Sequence, residues 1–122
     1  MKMLCLALLI AIPARAENKP ALRPEDGGLP ADAINRAIQE RITFIHACYT
    51  DELKKKKTLG EGKVKTKLVI GGDGKVKNAE AVASFGSHRV ETCIENELRS
   101  LQFTPPVGGG TVEVSYPFSF HR

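Results

Sequence analysis

The sequence predicts an α+β fold in which two helices cover one face of a three-stranded sheet. Apolar residues recur at three- and four-residue steps in two stretches, as on an amphipathic helix. They alternate with polar residues in three other stretches, as on a half-buried strand. The order along the chain is helix, strand, strand, helix, strand. Each element has a single apolar face, and stacking the helices on one side of the sheet buries all of these faces together.

Residues 1–16 have the pattern of a secretory signal peptide. A lysine precedes an apolar run over residues 4–12, and Ala14-Arg15-Ala16 supplies small residues for cleavage. The run is shorter than the ~20 residues that a membrane-spanning helix needs. We therefore expect cleavage after Ala16, loss of Cys5 with the signal, and a periplasmic or secreted protein without a transmembrane anchor.

Residues 17–30 are rich in proline, glycine and charge, and they predict a flexible leader. Residues 31–122 are then the size of one domain with a single core. The formal net charge of the whole chain is +4. Two of these positive charges lie in the predicted signal, so the charge balance gives no reason to expect a nucleic-acid partner.

The first predicted helix begins at Ala31 and ends in the lysine run 54–57, where positive charge suits the negative end of the helix dipole. A strand over residues 63–70 follows, and the turn Gly71-Gly72-Asp73-Gly74 joins it to a second strand over residues 76–83. Strict alternation cannot place Val76 and Ala79 on one face. The hairpin therefore needs a bulge, which we expect near Asn78.

Ser87 is a candidate cap for the second helix, whose apolar residues begin at Val90. Its glutamates at positions 91, 95 and 97 lie beside arginines, and we interpret them as a solvated face. The last strand, residues 112–120, has five apolar residues at strict alternation, and its three aromatic residues are predicted to pack in the core. Pro117 lies on the opposite face and lacks an N–H group, so it predicts a free edge at that point.

Two cysteines, Cys48 and Cys93, remain after the predicted cleavage, one on the apolar stripe of each helix. An intramolecular disulfide is expected in an oxidising compartment, where it would contribute about 4 kcal/mol in the chain-entropy description. Two free buried thiols are the alternative. A metal site with His46 and His88 is disfavoured, because residues two apart on a helix point in nearly opposite directions.

The sequence contains no G-x-S-x-G, phosphate-binding or H-E-x-x-H motif. Both remaining cysteines lie on core-facing stripes, whereas a nucleophilic cysteine needs partial exposure and a nearby base. We therefore predict a protein that is not an enzyme and has no cofactor or metal.

Several motifs between Ile34 and Phe120 occur together. They are Ile45-His46-Ala47-Cys48-Tyr49, Gly74-Lys75-Val76, Cys93-Ile94, Phe103-Thr104-Pro105-Pro106, Gly108-Gly109-Gly110 and Val114-Ser115-Tyr116-Pro117-Phe118. In these motifs the chain resembles the C-terminal domain of the AgmX/PglI family of myxobacterial surface and gliding-motility proteins, which is similar to TonB and TolA C-terminal domains.

This resemblance implies an antiparallel sheet in which the last strand pairs with the first and keeps its outer edge free. It also implies a bacterial envelope module that binds an extended segment of another protein as an added strand. The expected contact residues are on the last strand: Thr111, Glu113, Ser115, Pro117 and Ser119. Strand exchange between two copies, giving a homodimer, is a further expectation.

The chain departs from the family in two respects. The sequence has neither the long periplasmic arm nor the inner-membrane helix of TonB-like proteins, so we expect a freely diffusing domain. Leu101 and Phe103 stand where the family often has an aromatic-x-Phe pair. The alternative function is a small secreted inhibitor or effector braced by a disulfide.

Five lysines are predicted to form a basic face on the uncovered side of the sheet: Lys63, Lys65, Lys67, Lys75 and Lys77. Lysines on an open sheet keep it soluble and discourage edge-to-edge aggregation. The alternative is that they attract an acidic protein, an anionic cell-wall polymer or lipid headgroups.

Overall fold

A computed structural model describes residues 21–22 and 28–122, which form three helices and one antiparallel sheet. The helices are α1 (Ala31–Glu40), α2 (Ile42–Lys55) and α3 (His88–Arg99). The strands are β1 (Ala21–Leu22), β2 (Gly62–Ile70), β3 (Val76–Ala83) and β4 (Val112–Phe120). The α+β prediction is confirmed. The predicted signal peptide, residues 1–16, lies outside the described residues.

The sheet has the strand order β1-β4-β2-β3. Among the three strands predicted from the sequence, β2 therefore lies between β4 and β3. Strand β4 pairs with β2 along its whole length, from Val112 opposite Ile70 to Phe120 opposite Gly62. Strand β3 pairs with the other side of β2, and the register shifts where Asn78 lies opposite Val69. This shift is the predicted bulge, which places the alanines of β3 in the core.

The helices cover one face of the sheet, and the core lies between the two layers. From α1, Asn35 accepts a hydrogen bond of 2.7 Å from the Tyr116 hydroxyl of β4. From α2, the Tyr49 ring stacks on Phe120 with ring centroids 5.1 Å apart. The three aromatic residues of β4 are buried, as predicted. Burial raises the pKa of Tyr116, because a charged phenolate would lose its hydration there.

The first predicted helix is two helices, because the chain breaks at Arg41 between α1 and α2. The Arg41 amide donates to the carbonyl of Ile38, three residues back, at 3.0 Å, which is the tighter spacing of a helix end. At this break the Arg41 guanidinium donates to Glu97 of α3 at 2.5 Å and lies 4.3 Å from the centre of the Phe44 ring. The break thus connects the helix pair to α3.

Parts of the predicted flexible leader are packed against the domain. Leu29 is buried in the core, and the Gly28 carbonyl accepts a 2.8 Å hydrogen bond from the Val107 amide. A Cβ atom at Gly28 would lie 2.5 Å from the Val107 carbonyl oxygen, and the φ of +84° is one that glycine tolerates best. Residues 17–20 and 23–27 of the leader lie outside the described residues.

Among the helices of residues 28–122, none combines the length and apolarity needed to cross a bilayer.

Candidate functional site

Cys48 of α2 and Cys93 of α3 form a disulfide, which confirms the predicted pairing. Their Cα atoms are 5.7 Å apart, within the usual range for a disulfide. Because both sulfurs are bonded, neither is available as a thiolate ligand or nucleophile. Within residues 21–22 and 28–122, no three His, Cys, Asp or Glu side chains are grouped so as to hold a metal ion.

The outer edge of β3 is closed by side chains of α3. Glu91 accepts a hydrogen bond from the Ala83 amide at 2.8 Å, and Glu95 accepts one from the Ala81 amide at 2.9 Å. Farther along, the Arg99 guanidinium donates to the carbonyl of Ala79 at 3.4 Å. The interpretation of these glutamates as a solvated face was therefore wrong. They bind the strand's unpaired backbone groups, and Glu97, the third of them, pairs with Arg41.

The match between α3 and β3 has a simple geometric cause. Four residues of helix rise ~6 Å, and two residues of strand rise ~6.7 Å. Side chains at four-residue steps on α3 can therefore follow backbone groups at two-residue steps along β3. The N-terminus of α3 is fixed by the predicted cap, because the Ser87 hydroxyl oxygen accepts a hydrogen bond from the Val90 amide at 3.2 Å.

The outer edge of β4 is bordered by β1 alone among the described residues. Ala21 lies opposite Ser115 and Leu22 lies opposite Val114, in antiparallel register. The expectation of a wholly free edge is thus corrected, since part of the leader already adds a short strand there. Strand β1 is two residues long, whereas β4 extends over nine, so β1 borders only a small part of the edge.

Four of the five predicted contact residues share one face of β4. Glu113, Ser115, Pro117 and Ser119 alternate with the buried residues and lie on the open face of the sheet. Thr111 is exposed but precedes the strand. The Glu113 side chain also has an interaction of its own. These four residues therefore lie on the open face of β4, next to its outer edge.

The five predicted lysines do not form one continuous basic face. Lys63, Lys65 and Lys67 are exposed on β2, at the centre of the open face. Lys75 lies at the hairpin turn, where it bridges to Gln102, and Lys77 is at the bulge. The β3 residues beside the β2 lysines are Glu80, opposite Lys67, and Val82, opposite Lys65. Asn78 lies farther along β3, opposite Val69. The basic surface is therefore a row of three lysines on one strand.

Sequence reasoning missed the contacts that close the β3 edge. The four-residue spacing of Glu91, Glu95 and Arg99 is visible in the sequence. The same spacing also occurs on helices whose charged face meets only water, so it becomes informative only once α3 is placed beside β3.

No protein-family model, curated protein or solved structure matches this chain.

Proposed function

We propose that this protein is an exported, non-catalytic binding module that takes an extended segment of a partner protein as an added strand at the outer edge of β4. Such an addition satisfies the backbone groups of both strands, and the alternate side chains of the segment give selectivity. The motifs similar to AgmX/PglI and TonB-like domains support the same proposal. The partner is an envelope or extracellular protein.

The observation that carries this proposal is the contrast between the two edges of the sheet. At β3, Glu91 and Glu95 accept the hydrogen bonds that an added strand would need. At β4, a strand of two residues borders an edge of nine. The geometry of β1 also supports the proposal directly, because an extended segment already pairs antiparallel with Val114 and Ser115.

Strand β1 has a consequence for binding. A partner segment that pairs with the middle of β4 must displace Ala21 and Leu22, since both would use the backbone groups of Ser115, which point away from β2. A segment that pairs only with residues 116–120 would leave β1 in place. The affinity for a longer segment is therefore reduced by the free energy that β1 contributes to the fold.

Two features support export. The disulfide between Cys48 and Cys93 is typical of proteins in oxidising compartments. The pattern of residues 1–16 predicts a signal peptide. We infer a periplasmic or secreted location from them.

Site-specific photo-crosslinking in the native cell tests the proposal. A photoreactive residue at Ser119, on the open face of β4, should give a specific adduct with one partner protein. The matched control places the same residue at Asn78, which is exposed on β3. Mass spectrometry of the adduct should identify a short extended segment of the partner. A synthetic copy of this segment should then slow amide exchange along β4 and leave β3 unchanged.

Two results would count against strand addition. The first is an adduct of equal yield from both positions, which would indicate non-specific contact. The second is a specific adduct whose synthetic segment leaves the exchange of the β4 amides unchanged, because added backbone hydrogen bonds must protect them.

A further inference from the structure

The register of β1 fixes which side chains of an added strand lie on the open face, if the proposed strand addition is correct. Residues directly opposite each other in an antiparallel pair lie on the same face. Ser115 is exposed on the open face, and it lies opposite the first residue of β1. In the same register, alternate side chains of a partner segment therefore lie beside Ser115, Pro117 and Ser119, on the open face.

The three β2 lysines lie directly behind these positions. Lys67 is opposite Ser115, Lys65 is opposite Pro117, and Lys63 is opposite Ser119. A strand added outside β4 would lie two strand spacings, ~9–10 Å, from β2. Two long side chains can meet over that distance only if the residue between them is small. Each intervening residue of β4 is a serine or a proline, so the four-carbon lysine stems can extend over β4.

Within residues 28–122, no carboxylate forms an ion pair with Lys65 or Lys67. Lys65 has Val82 on one side and Pro117 on the other, and Val82 is 65% exposed. These residues line a shallow groove of about 530 Å³ on the open face. Glu80, opposite Lys67, also lines this groove on its β3 side. An anionic side chain entering from the β4 edge, on the other side of β2, would meet the two lysines.

We infer that the partner segment is acidic at alternate positions, with its Asp or Glu side chains beside Ser115 and Pro117 and within reach of Lys67 and Lys65. The intervening side chains face the helix layer and are apolar, as the alternate positions of an added strand require. The open face thus determines which segments bind, whereas the β4 edge supplies backbone hydrogen bonds to any of them. This inference rests on strand addition at β4 and specifies its partner class.

Short synthetic peptides test it on the oxidised protein. The first peptide alternates glutamate with valine, the second has glutamine in place of glutamate, and the third has lysine there. Backbone-amide NMR locates the binding site and titration gives the affinity, with both repeated on the Ala21→Pro variant so that β1 does not mask binding. We expect all contacts to fall on β4 and the glutamate peptide to bind roughly three- to ten-fold more tightly than the glutamine peptide at low salt.

Lysine variants assign the effect to the open face. The double variant Lys65→Gln/Lys67→Gln should remove the preference for glutamate, whereas the control Lys75→Gln removes one charge at the hairpin turn and should leave it intact. The reversal Lys65→Glu/Lys67→Glu should make the lysine peptide the tightest. Salt should weaken the glutamate peptide more than the glutamine peptide, since surface charge pairs are screened.

The outcomes separate this inference from the proposed function. If the peptides perturb β4 but bind with equal affinity, strand addition stands and the acidic preference is overturned. If no peptide perturbs β4 in either protein, both are overturned. Vesicles containing an anionic phospholipid test the alternative that the lysine row binds a membrane surface. If vesicles bind through Lys65 and Lys67 and the glutamate peptide shows no advantage, the lysine row recognises a membrane surface and the inference is overturned.

Discussion

The two outer edges of the sheet differ in what satisfies their backbone groups. At β3, carboxylates from the neighbouring helix accept hydrogen bonds from the amides of Ala81 and Ala83. At β4, another piece of main chain pairs with Val114 and Ser115. A side chain fixed on a packed helix stays in place as long as the helix does, whereas a two-residue strand can be replaced by a longer one. The contrast shows that protection of the β3 edge against an added strand depends on the placement of α3.

The disulfide should have the largest effect on this contrast, because it fixes α3 to α2. In the double variant Cys48→Ser/Cys93→Ser we expect the free energy of unfolding to fall by about 4 kcal/mol, from the 45-residue separation of the two cysteines. Amide exchange at Ala81 and Ala83 should accelerate more than exchange along β4. Denaturant titration and hydrogen exchange measure these quantities.

The reduced wild-type protein is the control for that variant, and it should show the same loss. Equal acceleration at both edges would contradict the view that α3 specifically closes β3. A loss below about 1 kcal/mol would mean that the helix packing, and not the covalent bond, holds α3 in place.

Removal of the two capping carboxylates should have an intermediate effect. In Glu91→Ala/Glu95→Ala we expect a loss of roughly 2 kcal/mol, since each hydrogen bond with a charged acceptor contributes ~1 kcal/mol or more and the freed amides regain some water. The opened edge should also favour association through β3. Sedimentation velocity of the variant and the wild type at the same concentration would detect larger oligomers in the variant.

The matched control is Glu40→Ala, which removes an exposed carboxylate from α1. It should change stability by less than about 0.5 kcal/mol. If the double variant is as stable as this control and forms no larger oligomers than it does, the contacts at the β3 edge are incidental.

Disruption of β1 should have the smallest effect on stability and a clear effect on binding. Ala21→Pro removes the amide that lies opposite Ser115, and we expect the free energy of unfolding to fall by less than ~1 kcal/mol. Exchange at Ser115 should accelerate while exchange at Val114, which faces β2, stays slow, and a segment that pairs with the middle of β4 should bind more tightly. The control Ala21→Val keeps the amide. Unchanged affinity in the proline variant would show that β1 does not compete with the partner.

The strands were predictable from the sequence because their burial pattern is local. Five apolar residues alternate along β4, and the bulge near Asn78 follows from the conflict between Val76 and Ala79 on β3. The break at Arg41 was not predictable, because the apolar positions keep a helical period on both sides of it. A two-residue strand such as β1 is too short to have any pattern of its own.

The candidate site was predictable to a smaller extent. Alternation alone placed Ser115, Pro117 and Ser119 on one face of β4. The position of the lysine row depended on strand order and register, which set Lys65 between Val82 and Pro117. These pairings join residues far apart in the chain, so no local pattern contains them.

The closed β3 edge also limits how copies of this domain can assemble. A sheet with two open edges can accept a neighbour on each side, and repeated addition then gives a filament without end. A sheet that accepts a neighbour only at β4 can bind one neighbouring strand through its edges. Two copies joined through their β4 edges would form a symmetric pair whose exposed ends are both capped by Glu91 and Glu95. Growth of such a pair through the sheet would stop at two copies, because α3 closes the β3 edge of each.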